Sequence, residues 1–157
     1  MSRDLFLYKD DSNLAYLISS SEDNLTLTIS ELTPDYLHTT GKYIRVAPGG
    51  YNEAPVMFKH GTSYFLVSSA TTGWKPNKAR LFNAIRIFGY WKKGDDFSKS
   101  SNPDDNNTTF HSQGSNVFKY KNNLYFMADK WDSKSLSQSG YLFKEIHFNS
   151  DGEPFIK

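Results

Sequence analysis

Apolar positions in this chain fall in short runs that alternate with polar ones and stop at turn-forming clusters, a period-2 pattern that predicts strands. The first segment reads LFLYKDD, breaks at Asp10 to Asn13, and resumes as LAYLISS. LTLTISEL follows, alternating over Leu25, Leu27 and Ile29 as a half-buried strand does. Thr33 to Leu37, TPDYL, fits either one helical turn capped by Thr33 or a connecting loop. GKYIRVA, Gly41 to Ala47, is another strand. The second segment, Tyr51 to Asn77, reads YNEAPVMFKHGTSYFLVSSATTGWKPN. It predicts a hairpin turning at His60–Gly61, with Glu53 at its mouth and Ala54–Pro55 stiffening the approach. A Ser/Thr/Gly loop then carries Trp74 and Asn77. ARLFNAIRIFGYW, Ala79 to Trp91, is compatible with helix or strand, and residues 93–109 read as a polar loop rich in Asp, Asn and Ser. The third segment runs SNVFKYKNNLYFMADKW, a loop at Asp132 to Ser139, YLFKEIHF, and a turn at Asp151 to Pro154.

The three segments share a plan. Leu7–Tyr8–Lys9, a turn, and Ala15–Tyr16–Leu17 answer Met57–Phe58–Lys59, a turn, and Ser63–Tyr64–Phe65. Val117–Phe118–Lys119, a turn, and Leu124–Tyr125–Phe126 answer both. The steps from Lys9 to Lys59 to Lys119 are about 50 and about 60 residues, the period of propeller blades. The expected fold is therefore all-β: one partial β-propeller domain, 1–157, of about three blades of antiparallel four-stranded sheets. The blades fall at about 1–48, 49–95 and 110–157, with the polar loop 93–109 between the last two. Three blades do not close a ring, so further blades or another chain are expected to complete it. The opening directly in front of a strand points the same way, to a missing N-terminal part.

Composition narrows the class. At 157 residues the chain can bury a core, and its 16% aromatic content, with ten Tyr and twelve Phe, suits strands. A net charge of +1 without basic runs argues against nucleic acid, and no apolar run is long enough to span a membrane. The absence of cysteine excludes a disulfide framework, a thiolate metal site and a cysteine nucleophile. His111 alone is too little for a metal, and His38, His60 and His147 read as surface or turn residues. No cofactor is expected. Glu53 beside Trp74 and a ring of hydroxyl and amide groups has the ingredients of a sugar site; the plain alternative is a solvated acid at a strand start.

Three motifs, in order along nearly the whole chain, resemble a known family. They are Ser2–Arg3–Asp4 with its strand and acidic turn, Glu53–Ala54–Pro55 with the hairpin and Gly73–Trp74–Lys75–Pro76–Asn77, and TTFHSQGSNVF followed by MADKW and SGYLF. The chain resembles the C-terminal three-fifths of the five-bladed β-propeller of glycoside hydrolase family 43, and is most similar to the exo-β-1,3-galactanase branch. The resemblance implies inversion, in which an acid protonates the departing oxygen while water is activated on the opposite face, the two groups standing roughly 6.5–9.5 Å apart. It implies Glu53 as general acid, with a pKa raised by burial and a neighbouring charge, and Asp4 as the carboxylate that raises it. The family's usual base lies on a blade outside this chain; in the galactanase branch a glutamine positions the water, which implies that role for Gln113. Trp74 and Trp131 are implied as sugar-stacking residues, with propeller core as the plain alternative, and Asn77 and Asp129 as hydroxyl partners. His111 could stand near the propeller axis. Two positions depart from the pattern: Lys130 and Gly140 stand where the relatives carry arginine, and lysine does not reproduce a bidentate fork.

The expectation is a glycoside hydrolase exo-acting on β-1,3-galactan side chains, with an oligo- or polysaccharide as partner. An α-L-arabinofuranosidase or β-xylosidase on the same fold, and a non-catalytic carbohydrate-binding fragment, are the alternatives. Secretion or a periplasmic address for the full-length protein is implied by the resemblance alone.

Overall fold

The computed structural model describes residues 3–157; Ser2 of the Ser–Arg–Asp motif lies outside them. Strands β1 (Leu5–Lys9), β2 (Ala15–Ser21), β3 (Thr26–Leu32) and β4 (Thr39–Val46) form one antiparallel meander in sequence order. A second four-stranded meander holds β5 (Asn52–His60), β6 (Ser63–Ala70), β7 (Arg80–Ala84) and β8 (Lys92–Lys93). The third sheet has three strands, β9 (Gln113–Tyr120), β10 (Asn123–Lys130) and β11 (Gly140–Glu145), followed by a small ribbon of β12 (His147–Phe148) and β13 (Pro154–Phe155) whose Phe148 stacks on His60. The all-β architecture is that of a partial propeller, with two of the three sheets four-stranded as the pattern predicts.

The middle sheet is buried on both faces, which explains its near-continuous apolar runs. On β5 and β6, Met57 and Leu66 enter a core shared with Ile18, Leu27 and Ile29 of the first sheet. Their strand neighbours Phe58, Phe65 and Val67 enter a second core with Phe126 and Ala128 of the third. The flanking sheets bury one face each. Leu7 stays 62% exposed on one flank and Tyr141 65% on the other.

Periodicity left three segments open, and packing decides them. Ala79 to Trp91 becomes the short strand β7 and a turn, closed by the Trp91 indole N–H donating to Ile87 O at 2.9 Å. Thr33 to Leu37 is a connecting turn, with Tyr36 N–H bonded to Thr33 O at 2.8 Å. The polar stretch 93–109 contains the helix α1 (Pro103–Thr108), and Phe97 within the same stretch is fully buried. Asn102 caps that helix by accepting from Asp104 N–H at 3.1 Å, proline occupies its first turn and Asp104–Asp105 follow, a start signal visible in the sequence.

Candidate functional site

Asp4, Glu53 and Gln113 converge because of where each sheet begins. Asp4 precedes β1, Glu53 is the second residue of β5 and Gln113 the first of β9. These three strands lead their sheets, and β5 touches both of the others. The internal repeat sets the register: Lys9 comes five residues after Asp4, whereas Lys59 and Lys119 come six after Glu53 and Gln113. Pairing of β1 with β2 is unbroken, but β5 carries a bulge between Glu53 and Val56 and β9 slips opposite Met127/Ala128. The extra residue in the second and third segments is that bulge. Bulges re-aim side chains at functional rims.

The β5 bulge also links the two carboxylates. Pro55 has no N–H to give a ladder and is tolerated at a bulge. Ala54 takes the uncommon value φ +49°, and its N–H leaves the sheet to donate to Asp4 Oδ2 at 2.9 Å. Asp4 is held from behind by Ser20 N–H donating to its carbonyl at 2.9 Å. Glu53 is half-buried; Gln113 Nε2 donates to its Oε1 at 3.0 Å and to Ser69 Oγ at 2.5 Å, and Asn24 Nδ2 approaches its Oε2 at 3.3 Å. Burial pushes the Glu53 carboxyl above the ordinary carboxylate range; the Gln113 hydrogen bond opposes the rise, the Asp4 charge adds to it and Arg3 opposes it. The direction is the one expected of a general acid, with burial leading and the neighbouring charge assisting.

Asp4, Glu53, Gly73, Trp74, Gln113 and Trp131 line one open cleft of about 300 Å³. Trp74 is 60% exposed and Trp131 half-buried. Neither is core. Their rings meet edge to face at 6.0 Å, and the Trp131 indole N–H donates to Trp74 O at 3.0 Å, so the pair forms one wall of the cleft. Asn77 and Asp129 are not brought into this cleft. Asn77 staples the Trp74 loop instead, accepting from Ala70 N–H and donating to Ala70 O, both at 2.9 Å, and donating to Thr72 Oγ1 at 2.7 Å. Asp129 stands opposite Gln113 in the ladder and lines an adjoining cleft with Trp131 and Tyr141. Lys130 and Gly140 are cross-strand partners at the same place. His111 is exposed, with Nε2 at 2.9 Å from Asp104 Oδ2, and no metal-binding cluster occurs among the described residues. A larger cleft of about 550 Å³ near the β1–β2 turn, lined by Lys9, Glu31 and Tyr36 among others, gathers none of these residues.

Sequence reasoning missed the supports. Asn52 is fully buried, its Oδ1 accepting from Ser68 Oγ at 3.1 Å and Arg80 at 2.8 Å, and Arg80 also holds the carbonyls of Gly50 and Tyr51. This anchor fixes the start of β5 and hence Glu53. The amide just before the acid was the available signal. Nothing local marks Asn24, which reaches Glu53 only through the folding of the first sheet against the second, whereas Ser69 stands opposite Glu53 in the β5–β6 hairpin, so the hairpin was its available signal.

No protein-family model and no curated protein sequence matches the chain. Solved structures do. A family 43 β-1,3-galactosidase solved with galactodeoxynojirimycin is 47% identical over 100% of this chain, with a TM-score of 0.95. The Phanerochaete chrysosporium exo-β-1,3-galactanase solved with galactose is 32% identical over 99%, with a TM-score of 0.85. The exo-β-1,3-galactanase of Clostridium thermocellum is 26% identical over 99%, with a TM-score of 0.87. The chain spans 45%, 35% and 34% of the lengths of these three proteins.

Proposed function

We propose, for a chain that belongs to glycoside hydrolase family 43, that its site hydrolyses β-1,3-linked galactan from the end of the glycan with inversion. The observation that carries this reading is the half-buried Glu53, its pKa raised, in one cleft with Asp4, Gln113 and the Trp74–Trp131 wall. Glu53 donates its proton to the departing glycosidic oxygen. A carboxyl whose pKa is raised by burial and by a neighbouring negative charge keeps its proton to higher pH than an ordinary glutamate, which suits that step. Asp4 supplies the charge, and its link to Ala54 N–H keeps it at a fixed distance from the acid.

Gln113 is an orienting group. An amide carbonyl accepts hydrogen bonds but is a very weak base, so it aims a water rather than taking its proton. Its N–H groups are spent on Glu53 and Ser69, which leaves the carbonyl oxygen for that task; the direct contact at 3.0 Å is shorter than the roughly 6.5–9.5 Å separation of an inverting pair, so the amide must draw away from Glu53 when sugar and water enter. The exposed indole faces offer the apolar side of a pyranose ring a platform.

The test is release of galactose from β-1,3-galactobiose by the chain and by Glu53→Gln. Turnover by the parent, lost at least a hundredfold in the variant, supports the reading, since a general acid contributes roughly 10²–10⁴-fold. Galactobiose binding that is equal in both forms, with turnover in neither, replaces it with a carbohydrate-binding role. Arabinose or xylose released in place of galactose moves the substrate but keeps the acid.

A further inference from the structure

The two oxygens of the Glu53 carboxyl keep different company, and the difference points to an unassigned partner. Oε1 accepts the Gln113 amide at 3.0 Å, an amide itself tied to Ser69. Oε2 faces Asn24 Nδ2 at 3.3 Å. An ionised carboxylate accepts only, while a protonated one presents an O–H donor. Once Glu53 carries its proton, the oxygen that holds it becomes a hydroxyl, a much weaker acceptor with its own O–H to place, so the N–H facing that oxygen is poorly served. Gln113 is the shorter and doubly tied contact, so the proton belongs on Oε2, in front of Asn24.

Asn24 is built to meet it. The residue is 6% exposed, and its Oδ1 is buried with no hydrogen-bond partner among the described residues. Leaving such an oxygen unpaired is costly unless it has a use. A half-turn about χ2 exchanges the amide oxygen and nitrogen and presents Oδ1 to Oε2. The rest of the residue is fixed: its carbonyl accepts Asn52 N–H at 2.8 Å, and it closes a run, Glu22, Asp23, Asn24, with φ +54°, +55° and +66°. Asparagine is among the few residues that accept this conformation. The charged groups bearing on Glu53 are Asp4 and Arg3, both from the chain before β1.

We infer that Asn24 is a positioning residue for the acid's proton: its carbonyl oxygen accepts Oε2–H of protonated Glu53, and its N–H takes over when that proton has gone to the departing oxygen. The inference rests on the hydrolase reading for the identity of the acid. The balance is simple: the O–H bond of Oε2 breaks, a bond to the glycosidic oxygen forms, and the carboxylate left behind accepts from the amide until a proton from solvent restores it.

The test follows the Asn24 side-chain amide resonances and the Glu53 carboxyl carbon by NMR through a pH titration of the isotope-labelled chain, beside Glu53→Gln. The expected result is an inflection of the Asn24 amide at the Glu53 midpoint, absent in the variant. An Asn24 amide that stays flat through that midpoint overturns the inference. In turnover, Asn24→Gly keeps a residue suited to φ +66° and should lose about tenfold in kcat with KM unchanged. An unchanged kcat overturns it as well. The two readings separate cleanly: an Asn24 amide that tracks Glu53 in a chain without turnover keeps the pairing and removes the hydrolase, and the opposite pair of results does the reverse.

Discussion

Glu53 is set against two costs that a solvated carboxylate escapes, burial and the nearby charge of Asp4. Both disfavour its ionised form, so the folded chain holds a proton that the unfolded chain releases. Between the ordinary glutamate pKa and the raised one, the unfolded state binds fewer protons and stability falls as pH rises. Above the raised value the loss is complete. Glu53→Gln keeps an acceptor for Gln113 and removes the ionisation, so thermal unfolding at neutral pH should show the variant more stable than the parent, and the two should converge in acid. Asp4→Asn keeps an acceptor for Ala54 N–H and removes one cause of the raised pKa. The alkaline limb of the pH–rate profile reports the acid and should move to lower pH in that variant; an unmoved limb would separate Asp4 from the acid. Both residues were legible in the sequence because the Ser–Arg–Asp and Glu–Ala–Pro motifs that carry them resemble the family; a strand-head position alone left Glu53 with the plain alternative of a solvated acid. Asn24 was not, because its place in the turn Glu22 to Asn24 says nothing about what lies across it.

At the scale of elements, the site depends on how closely β9 approaches β5. Gly114 follows Gln113, and a methyl group there would meet the Phe126 ring at 3.0 Å and Val56 Cγ2 at 3.4 Å. Phe126 is fully buried and cannot yield. Gly114→Ala should therefore destabilise by about 1–3 kcal/mol, the usual range for overpacking, read as a lower midpoint in urea. It should also lower turnover by shifting Gln113. The strands themselves were readable from alternation and the repeat, and the bulges left their mark as one extra residue between Glu53 and Lys59 and between Gln113 and Lys119. Ala79 to Trp91 was ambiguous because a core on both sides erases periodicity. The helix α1 was overlooked inside a polar stretch although Asn102–Pro103–Asp104 announces it.

Across the whole molecule, the flanking sheets expose what the middle sheet buries. Leu5, Leu7 and Tyr43 stay open on the first sheet, and Tyr120, Tyr141 and Phe143 on the third. Phe118, Tyr125 and Phe143 already pack ring to ring on that third sheet, at 5.9 and 6.2 Å. Apolar faces of this kind mark contacts with further protein or sites of association. The purified chain should thus show concentration-dependent self-association by analytical ultracentrifugation, and Leu7→Lys with Phe143→Lys should reduce it without lowering the thermal midpoint. A chain that remains monomeric at high concentration would show that these faces are tolerated by water.

The sequence by itself determined most of the strands, the repeat and, by resemblance, the family, since periodicity, turn chemistry and motif order are local properties of the chain. Through the family resemblance of their motifs it also singled out Glu53, Asp4 and Gln113. Tertiary structure alone decided the company these residues keep: the Ala54 N–H that reaches Asp4, the Trp74–Trp131 wall, the withdrawal of Asn77 into a loop staple, and Asn24 beneath the acid. The physical reason is range. Propensity and pattern act over neighbouring residues, whereas a carboxyl's pKa and its partners are set by groups within a few ångströms in space and dozens of positions apart along the chain.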